Sequence, residues 1–497
     1  MSARAKACMA PPPRWRGLTL WLTVTVCIAS RSVLAFDVFD LDVLRTAHSI
    51  APTASGTLID ANRTGLCVFG ALGNPLRLRE AVERALCNSA KTREAWAQVK
   101  VQAAQVGIAK SAYLPTLSAT GQTVRDDSWT DVAGHPQLSS ANRSTVRSGS
   151  VSANWVLWDF GGRRAATDGA VDLFAAAKAT QSAALQEIFA TVAKDYYAAQ
   201  AAQGGLAAAL EAERVAHDSE IAAVARVDHG VAPISDELQA ETAYAQATYA
   251  RAKAAGDLKV ALGTLASDMN LMPTDTIGLP PVADGVQPGE EFDASIDELM
   301  DEAKRGHPSV LAAQAQLEAS RAKTRELRAE GLPTISVTAK YSTNNQPASL
   351  GLGIPQFPAT GHDWYVGVQV TIPLFEGFNR SYQVREAEAQ SEVRDAALTE
   401  IRQQVALDVW TSYQSMKTGE ENLTNTQTML TVALKSLNAA QQRYQAGVGN
   451  ILELLNAQSA VANAAKQRIH ALTDWRNERL QLSGKLGRLE MHDVDMQ

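Results

Sequence analysis

Leu157-Trp158-Asp159-Phe160-Gly161-Gly162-Arg163 returns later in the chain as Leu374-Phe375-Glu376-Gly377-Phe378-Asn379-Arg380, and that echo decides the fold. In both places an alternating run ends on an aromatic residue. A carboxylate and glycine follow, and an arginine opens a long stretch without proline. The shift of about 217 positions is shared by other landmarks. Tyr113-Leu114-Pro115-Thr116-Leu117-Ser118 returns as Gly331-Leu332-Pro333-Thr334-Ile335-Ser336. Arg226, Gly230, Val231, Asp236 and Leu238 return as Arg443, Gly447, Val448, Glu453 and Leu455. Three landmarks in one order indicate a duplicated module of about 200 residues, far longer than a solenoid repeat.

Within each copy the periodicity changes in a fixed order. An opening helix is expected over Leu78–Tyr113, and again over Ile296–Glu330 with a break at Gly306-His307-Pro308. Leu-Pro ends each helix. Alternation over Thr116–Thr123 and Ser336–Tyr341 then reads as strand. Polar loops, Asp126–Ser144 and Ser342–Asp363, lead to second alternating runs, Ser150–Trp158 and Trp364–Leu374. Each second run is long enough to cross a bilayer as a tilted strand. Trp155, Trp158, Trp364, Tyr365 and Phe375 cluster near the ends, as an interfacial aromatic girdle requires. A soluble hairpin with one buried face would show the same alternation, which is a weak signal in a single strand.

The following helices separate the two readings. No proline occurs from Arg163 to His229 or from Arg380 to Ala446. At 1.5 Å per residue each stretch makes about 100 Å of helix. Met416, Leu423, Leu430, Leu437, Tyr444 and Ile451 recur at heptad spacing, flanked by a second seam of Leu434, Val448, Leu455 and Ala462. In the first copy Leu185, Val192, Ala199 and Leu206 hold the seam, weakened by Gly204-Gly205. Helices of this length are built to travel a distance, not to fill a compact core. Gly230 and Gly447 are expected as left-handed caps at the far ends, and helices return over Ser235–Leu262 and Ile451–Gly484. Ser235 or Asp236 is the expected cap of the first returning helix.

The bulk properties exclude several classes. A formal net charge of -7 gives no basic footprint, so nucleic acid is not an expected partner. Arg14 and Arg16, the apolar Leu18–Ala29 and Val33-Leu34-Ala35 read as a signal peptide over 1–35, the apolar run being short for a membrane anchor. Cys67 and Cys87 are then the remaining cysteines, and two thiols in an oxidising compartment are candidates to pair or to stay as separate buried thiols. The eight histidines show no metal-binding spacing, and no phosphate loop, dinucleotide turn or nucleophile elbow occurs. No cofactor, metal or enzymatic activity is expected. Gly161-Gly162-Arg163-Arg164 could bind an anion at a helix start, but a bend needing backbone freedom is the preferred reading.

The Leu-Pro-Thr junctions, the two strand-to-helix junctions and Arg443-Tyr444-Gln445-Ala446-Gly447-Val448-Gly449-Asn450 resemble the TolC family of outer-membrane efflux and secretion proteins. The likeness covers roughly residues 78 to 489 and leans toward members that export adenylate cyclase toxin. It implies an α+β fold: a trimeric outer-membrane β-barrel, four strands per subunit, continuous with a long periplasmic α-helical barrel built from two repeats. The expected organisation is a signal peptide (1–35), an N-terminal extension (36–77), a first repeat (78–279), a linker (280–294), a second repeat (295–490) and a tail (491–497). The resemblance implies a homotrimer in outer-membrane lipid, with a large periplasmic part. It also implies a periplasmic adaptor, an inner-membrane ABC transporter and a secreted protein substrate in type I secretion; the alternative is a tripartite drug or metal efflux pump. A coiled-coil stalk is disfavoured, since a stalk needs no barrel strands.

The same resemblance places a tunnel constriction at the turns, with Asp236, Tyr444, Glu453 and Asn456 as gate residues. A ring of carboxylates on one axis would repel anions and bind cations, and Tyr444 could latch to Asp236. Read without the family, acids after a helix cap are simply dipole partners. Glu453 and Asn456 stand where the family pattern carries two aspartates, and Gly449 where it carries arginine, so an arginine latch at that position is not expected.

Overall fold

The computed structural model describes residues 69–282, 295–346 and 359–489, with isolated positions 44, 46, 50, 51, 54, 55, 67, 357 and 491. The expected signal peptide and most of the N-terminal extension, the linker from 283 and the tail after 491 lie outside these residues. The first copy runs α1 (Leu78–Asn88), α2 (Ala90–Ser111), β1 (Thr116–Thr130), β2 (Ser140–Trp158), α3 (Gly162–Asp228) and α4 (Ile234–Asp268). The second runs α5 (Ile296–Gly306), α6 (Pro308–Ala329), β3 (Thr334–Asn344), β4 (Gly361–Thr371), α7 (Asn379–Gln445) and α8 (Ile451–Leu486). Both α3 and α7 are 67 residues long.

Two sequence expectations need correction. The opening helix of the first copy is not continuous, because Ser89 (φ -60°, ψ 136°) breaks it as His307 (φ -62°, ψ 132°) breaks the second. The pieces are 11 and 22 residues long in both copies. The first hairpin is also far longer than its alternation suggested. β1 continues through Asp126 to Thr130 and β2 begins at Ser140, so much of the expected loop is paired strand.

The four strands form one antiparallel sheet in the order β1-β2-β3-β4. β1 and β4 are its open edges. A single subunit cannot leave them facing lipid, since unpaired backbone groups find no partner there. The long helices leave this sheet at the junctions that open the sequence. Phe160 (φ 52°) and Gly161 (φ 95°) turn the first, Gly377 (φ 62°) and Phe378 (φ 64°) the second. Arg163 fixes the first bend: its backbone N–H donates to Asp159 Oδ2 at 2.6 Å and its guanidinium donates to Val156 O at 2.6 Å. Asp159 therefore occupies the helix start itself, and Gly161-Gly162 serves the bend. Arg380 repeats the device with Glu376 at 3.2 Å and with Glu330.

The main core lies midway along the helical part, where α1, the middle of α3, the end of α4 and Leu480 of α8 meet. Leu76, Val82, Leu86, Phe189, Val192, Leu265 and Met269 are buried there. Tyr196 Oη donates to Leu76 O at 2.9 Å, satisfying its polar end. Cys67 and Cys87 form a disulfide that ties the segment before α1 to this core. Gly204, which weakens α3 by propensity, has a packing reason: an added Cβ would lie 2.7 Å from Ile469 Cγ2 of α8. Tyr444, Met416, Leu423 and Ile451 of the first heptad seam are buried within the chain, while Leu434 and Val448 of the second are exposed. No helix among the described residues is long and apolar enough to cross a membrane.

The same region carries a pH-dependent element. Asp268, at the end of α4, is pushed up to about 7 by burial and by the neighbouring Asp195 carboxyl. Glu478 of α8 is likewise pushed up to about 7, by burial and by Asp474. Between about pH 4 and 7 the folded chain holds protons that the unfolded chain has lost, so stability falls as pH rises across that window. The urea midpoint should therefore drop from pH 5 to pH 8, and Asp268→Asn should flatten the slope while Glu478 preserves part of it. An unchanged slope in the variant would refute the assignment to Asp268.

Candidate functional site

Two sites follow from this architecture: the face of the sheet that meets lipid and the turns at the far tip of the helices. Strand register separates the faces of the sheet, since directly paired residues point the same way. One face carries Leu117, Ala119, Val151, Ala153, Trp155, Ile335, Val337, Ala339, Tyr341, Trp364, Val366, Val368 and Val370. The other carries Ser118, Thr120, Ser150, Ser152, Asn154, Ser336, Thr338, Lys340, Asp363 and Gln369. The apolar face is the lipid face and the polar face lines the lumen. Val366 and Val368 are 67% and 68% exposed in the single chain, as residues meant for lipid would be. The run from Trp364 to Leu374 spans about 33 Å as extended chain, or about 25 Å of height at a tilt of about 40°.

Of the five residues expected in a girdle, Trp155, Trp158 and Trp364 share the apolar face. Phe375 follows β4, exposed, with Phe378 edge-on at 5.5 Å. Tyr365 does not belong with them, because it pairs with Lys340 on the lumen face. Tyr341, paired with Trp364 on the apolar face, is an aromatic that the sequence reading did not group with them. Its odd-numbered alternation with Ile335, Val337 and Ala339 was the available signal.

At the tip, α3 turns into α4 through Gly230 and α7 into α8 through Gly447, both at φ 74°. Gly230 N–H donates to Val227 O and Val231 N–H to Arg226 O; Gly447 and Val448 repeat this with Tyr444 O and Arg443 O. The helix ends are thus satisfied by the backbone pattern that a left-handed glycine allows. The starts differ. Asn450 caps α8, its side chain accepting from Leu452 N–H at 2.9 Å. Pro233 precedes α4 and no side chain caps it, so neither Ser235 nor Asp236 has the expected capping role.

The repeat pair Arg226 and Arg443 diverges here. Arg226 Nη1 donates to Tyr444 O at 2.8 Å, and its guanidinium lies over the Tyr444 ring at 4.5 Å. It thereby ties the end of α3 to the end of α7. Arg443 instead pairs with Glu453 across its own turn at 3.6 Å, both half-exposed. Tyr444, Ile451 and Leu454 form a small buried cluster at the tip. Tyr444 Oη is buried and hydrogen-bonds to nothing among the described residues, so no bond joins it to Asp236 within one subunit. Asp236 is half-buried and Asn456 exposed. The structure thus brings Tyr444, Gly447 and Glu453 together through Arg226 and Arg443. Sequence reading noticed these arginines only as landmarks of the repeat.

A sheet apolar outside and polar inside, joined to helices some 100 Å long, is the form of a channel-tunnel. The sequence model of the family described as outer membrane efflux protein matches residues 81–270 and 299–488. The chain belongs to this family. Outer membrane efflux proteins of the TolC type are homotrimers that work with adaptors and inner-membrane transporters, and the family and fold are those of channel proteins. This member is placed in the outer membrane with its helical tunnel in the periplasm. It is 28% identical to Protein CyaE of Bordetella pertussis over 428 residues, covering 84% of this chain and 86% of that one. It is 24% identical to the toluene efflux pump outer membrane protein TtgC of Pseudomonas putida over 406 residues, 79% of each chain. The crystal structure of the outer membrane protein VceC from Vibrio cholerae matches its fold with a TM-score of 0.71 at 19% identity, covering 82% of this chain and 96% of that one.

Proposed function

We propose that this efflux-family member is the passive exit duct of a type I secretion system, receiving a protein toxin from an inner-membrane ABC transporter and a periplasmic adaptor. The observation that carries the reading is the match to CyaE, a type I secretion outer membrane protein, along 84% of the chain. The lumen face, lined mainly by serine, threonine and asparagine, offers an unfolding or extended polypeptide many hydrogen-bonding groups and few apolar side chains. A second reading is drug or solvent efflux, favoured by the likeness to TtgC. Deleting the gene and scoring toxin release against solvent and drug sensitivity separates the two. Loss of release with unchanged sensitivity supports secretion; the reverse supports efflux.

In this reading the tip is the gate. Asp236 and Glu453 from three subunits would set a carboxylate ring on the axis, and Arg226 would hold each Tyr444 in the closed arrangement. Tyr444→Phe removes only the hydroxyl, and Asp236→Asn only the charge. If the latch between them operates across neighbouring turns, each variant should raise closed-state conductance severalfold in planar bilayers. Conductance indistinguishable from the wild type in both variants would eliminate the latch.

A further inference from the structure

Above the row formed by Ala119, Val151, Tyr341 and Trp364, the lipid face of the sheet changes character. The next row is Gly121 opposite Gly149, with Thr343 beside them. Then come Thr123 opposite Arg147, Arg125 opposite Thr145, and Asp127 opposite Arg143. All share the face that carries Val366 and Val368, so they point outward and not into the lumen. Arg143 is neutralised by Asp127 at 2.8 Å. Arg125 and Arg147 are exposed, and neither guanidinium has an ion-pair or hydrogen-bond partner among the described residues. As diagonal neighbours on adjacent strands they lie about 7–8 Å apart at the backbone, within reach of one small anion and mutually repulsive without it.

We propose that Arg125 and Arg147 form a seat for the phosphate of an outer-leaflet lipid headgroup. The helices mark the periplasmic side, so this end of the sheet faces the cell exterior. Tyr341 and Trp364 mark the interface, and the arginines stand just above it, at headgroup height. Arginine forks match phosphate oxygens in a bidentate manner. The paired glycines supply the remaining feature. A Cβ added to Gly121 would meet nothing within 4 Å, so the Gly121–Gly149 pair leaves an open step between the Thr123–Arg147 row above and the Ala119–Val151 row below. A lipid can place its phosphate at the arginines while an acyl chain descends over that step. A free anion would use the arginines but not the step.

The test uses the full-length protein in a neutral detergent, titrated with fluorescent bis-phosphorylated glucosamine lipid (lipid A) and with phosphatidylcholine. The wild type should bind lipid A and prefer it to phosphatidylcholine. Arg125→Gln with Arg147→Gln should weaken lipid A binding about 30-fold, from the usual gain per basic residue at an anionic surface. The corresponding double lysine variant should retain most of the affinity, and Arg143→Gln should change it little. Migration as a trimer on unheated gels checks folding of every variant. Equal binding by the double glutamine variant overturns the proposal, as does equal affinity for phosphatidylcholine. Displacement by equimolar inorganic phosphate would show a free-anion site and would also overturn the lipid assignment.

Discussion

Phe189→Ala should destabilise the protein by about 3–5 kcal/mol, the usual cost of emptying a large aromatic site in a core. Phe189 is 0% exposed and sits midway along α3, against α1 and the end of α4. This is where α1, the middle of α3, the end of α4 and α8 meet. A cavity there cannot be closed by sliding one helix, because Tyr196, the Cys67–Cys87 disulfide and the α3–α8 packing at Gly204 hold the surrounding elements in place. Ala193, one turn further and also buried, is the contrasting site: Ala193→Gly removes little volume and should cost about 1 kcal/mol from helix propensity. Urea unfolding at constant pH measures both. A Phe189→Ala midpoint matching that of Ala193→Gly would mean that this cluster does not hold the helices together.

The long helices were legible in the sequence because two independent signals coincided over α3 and α7: no proline, and apolar residues at heptad spacing. The bends were legible because a carboxylate and an arginine recurred at a fixed shift with glycine between them. The upper half of the first hairpin was not. Beyond Gly121 and Gly149 both faces of β1 and β2 carry mostly charged and hydroxyl residues, with Val124–Val146 and Trp129–Ala141 as apolar pairs, since that part stands at or above headgroup height. Alternation vanishes while backbone pairing continues from Arg125–Thr145 to Thr130–Ser140. The break at Ser89 was hidden because, unlike His307, no proline follows it. At the tip, Tyr444 was legible through the family pattern. Its partner Arg226 comes from the other repeat, and no local spacing announces a contact across so many residues. Periodicity reports which face is buried, and a contact between two ends of the duplication leaves no period to read.

Val368→Arg should cost about 2–4 kcal/mol, the penalty for a cation near the midplane on the lipid face of a barrel. Gln369→Arg, one position on, should be nearly neutral. The contrast depends wholly on register. Val368 pairs with Val337 and Gln369 with Ser336, so the two side chains leave opposite faces of β4. β4 is also an open edge of the four-stranded sheet, which in a homotrimer must pair with the β1 edge of a neighbour. A charge at Val368 therefore acts at the seam between subunits as well as in lipid. The loss should appear first as fewer trimers surviving mild heating, before any change in helix content. Stability in lipid vesicles, followed by denaturant titration, measures the size of the effect. Equal losses for the two variants would mean that the sheet does not divide lipid from lumen at this strand. A larger loss for Gln369→Arg would reverse the faces and remove the outward placement of Arg125 and Arg147 with it.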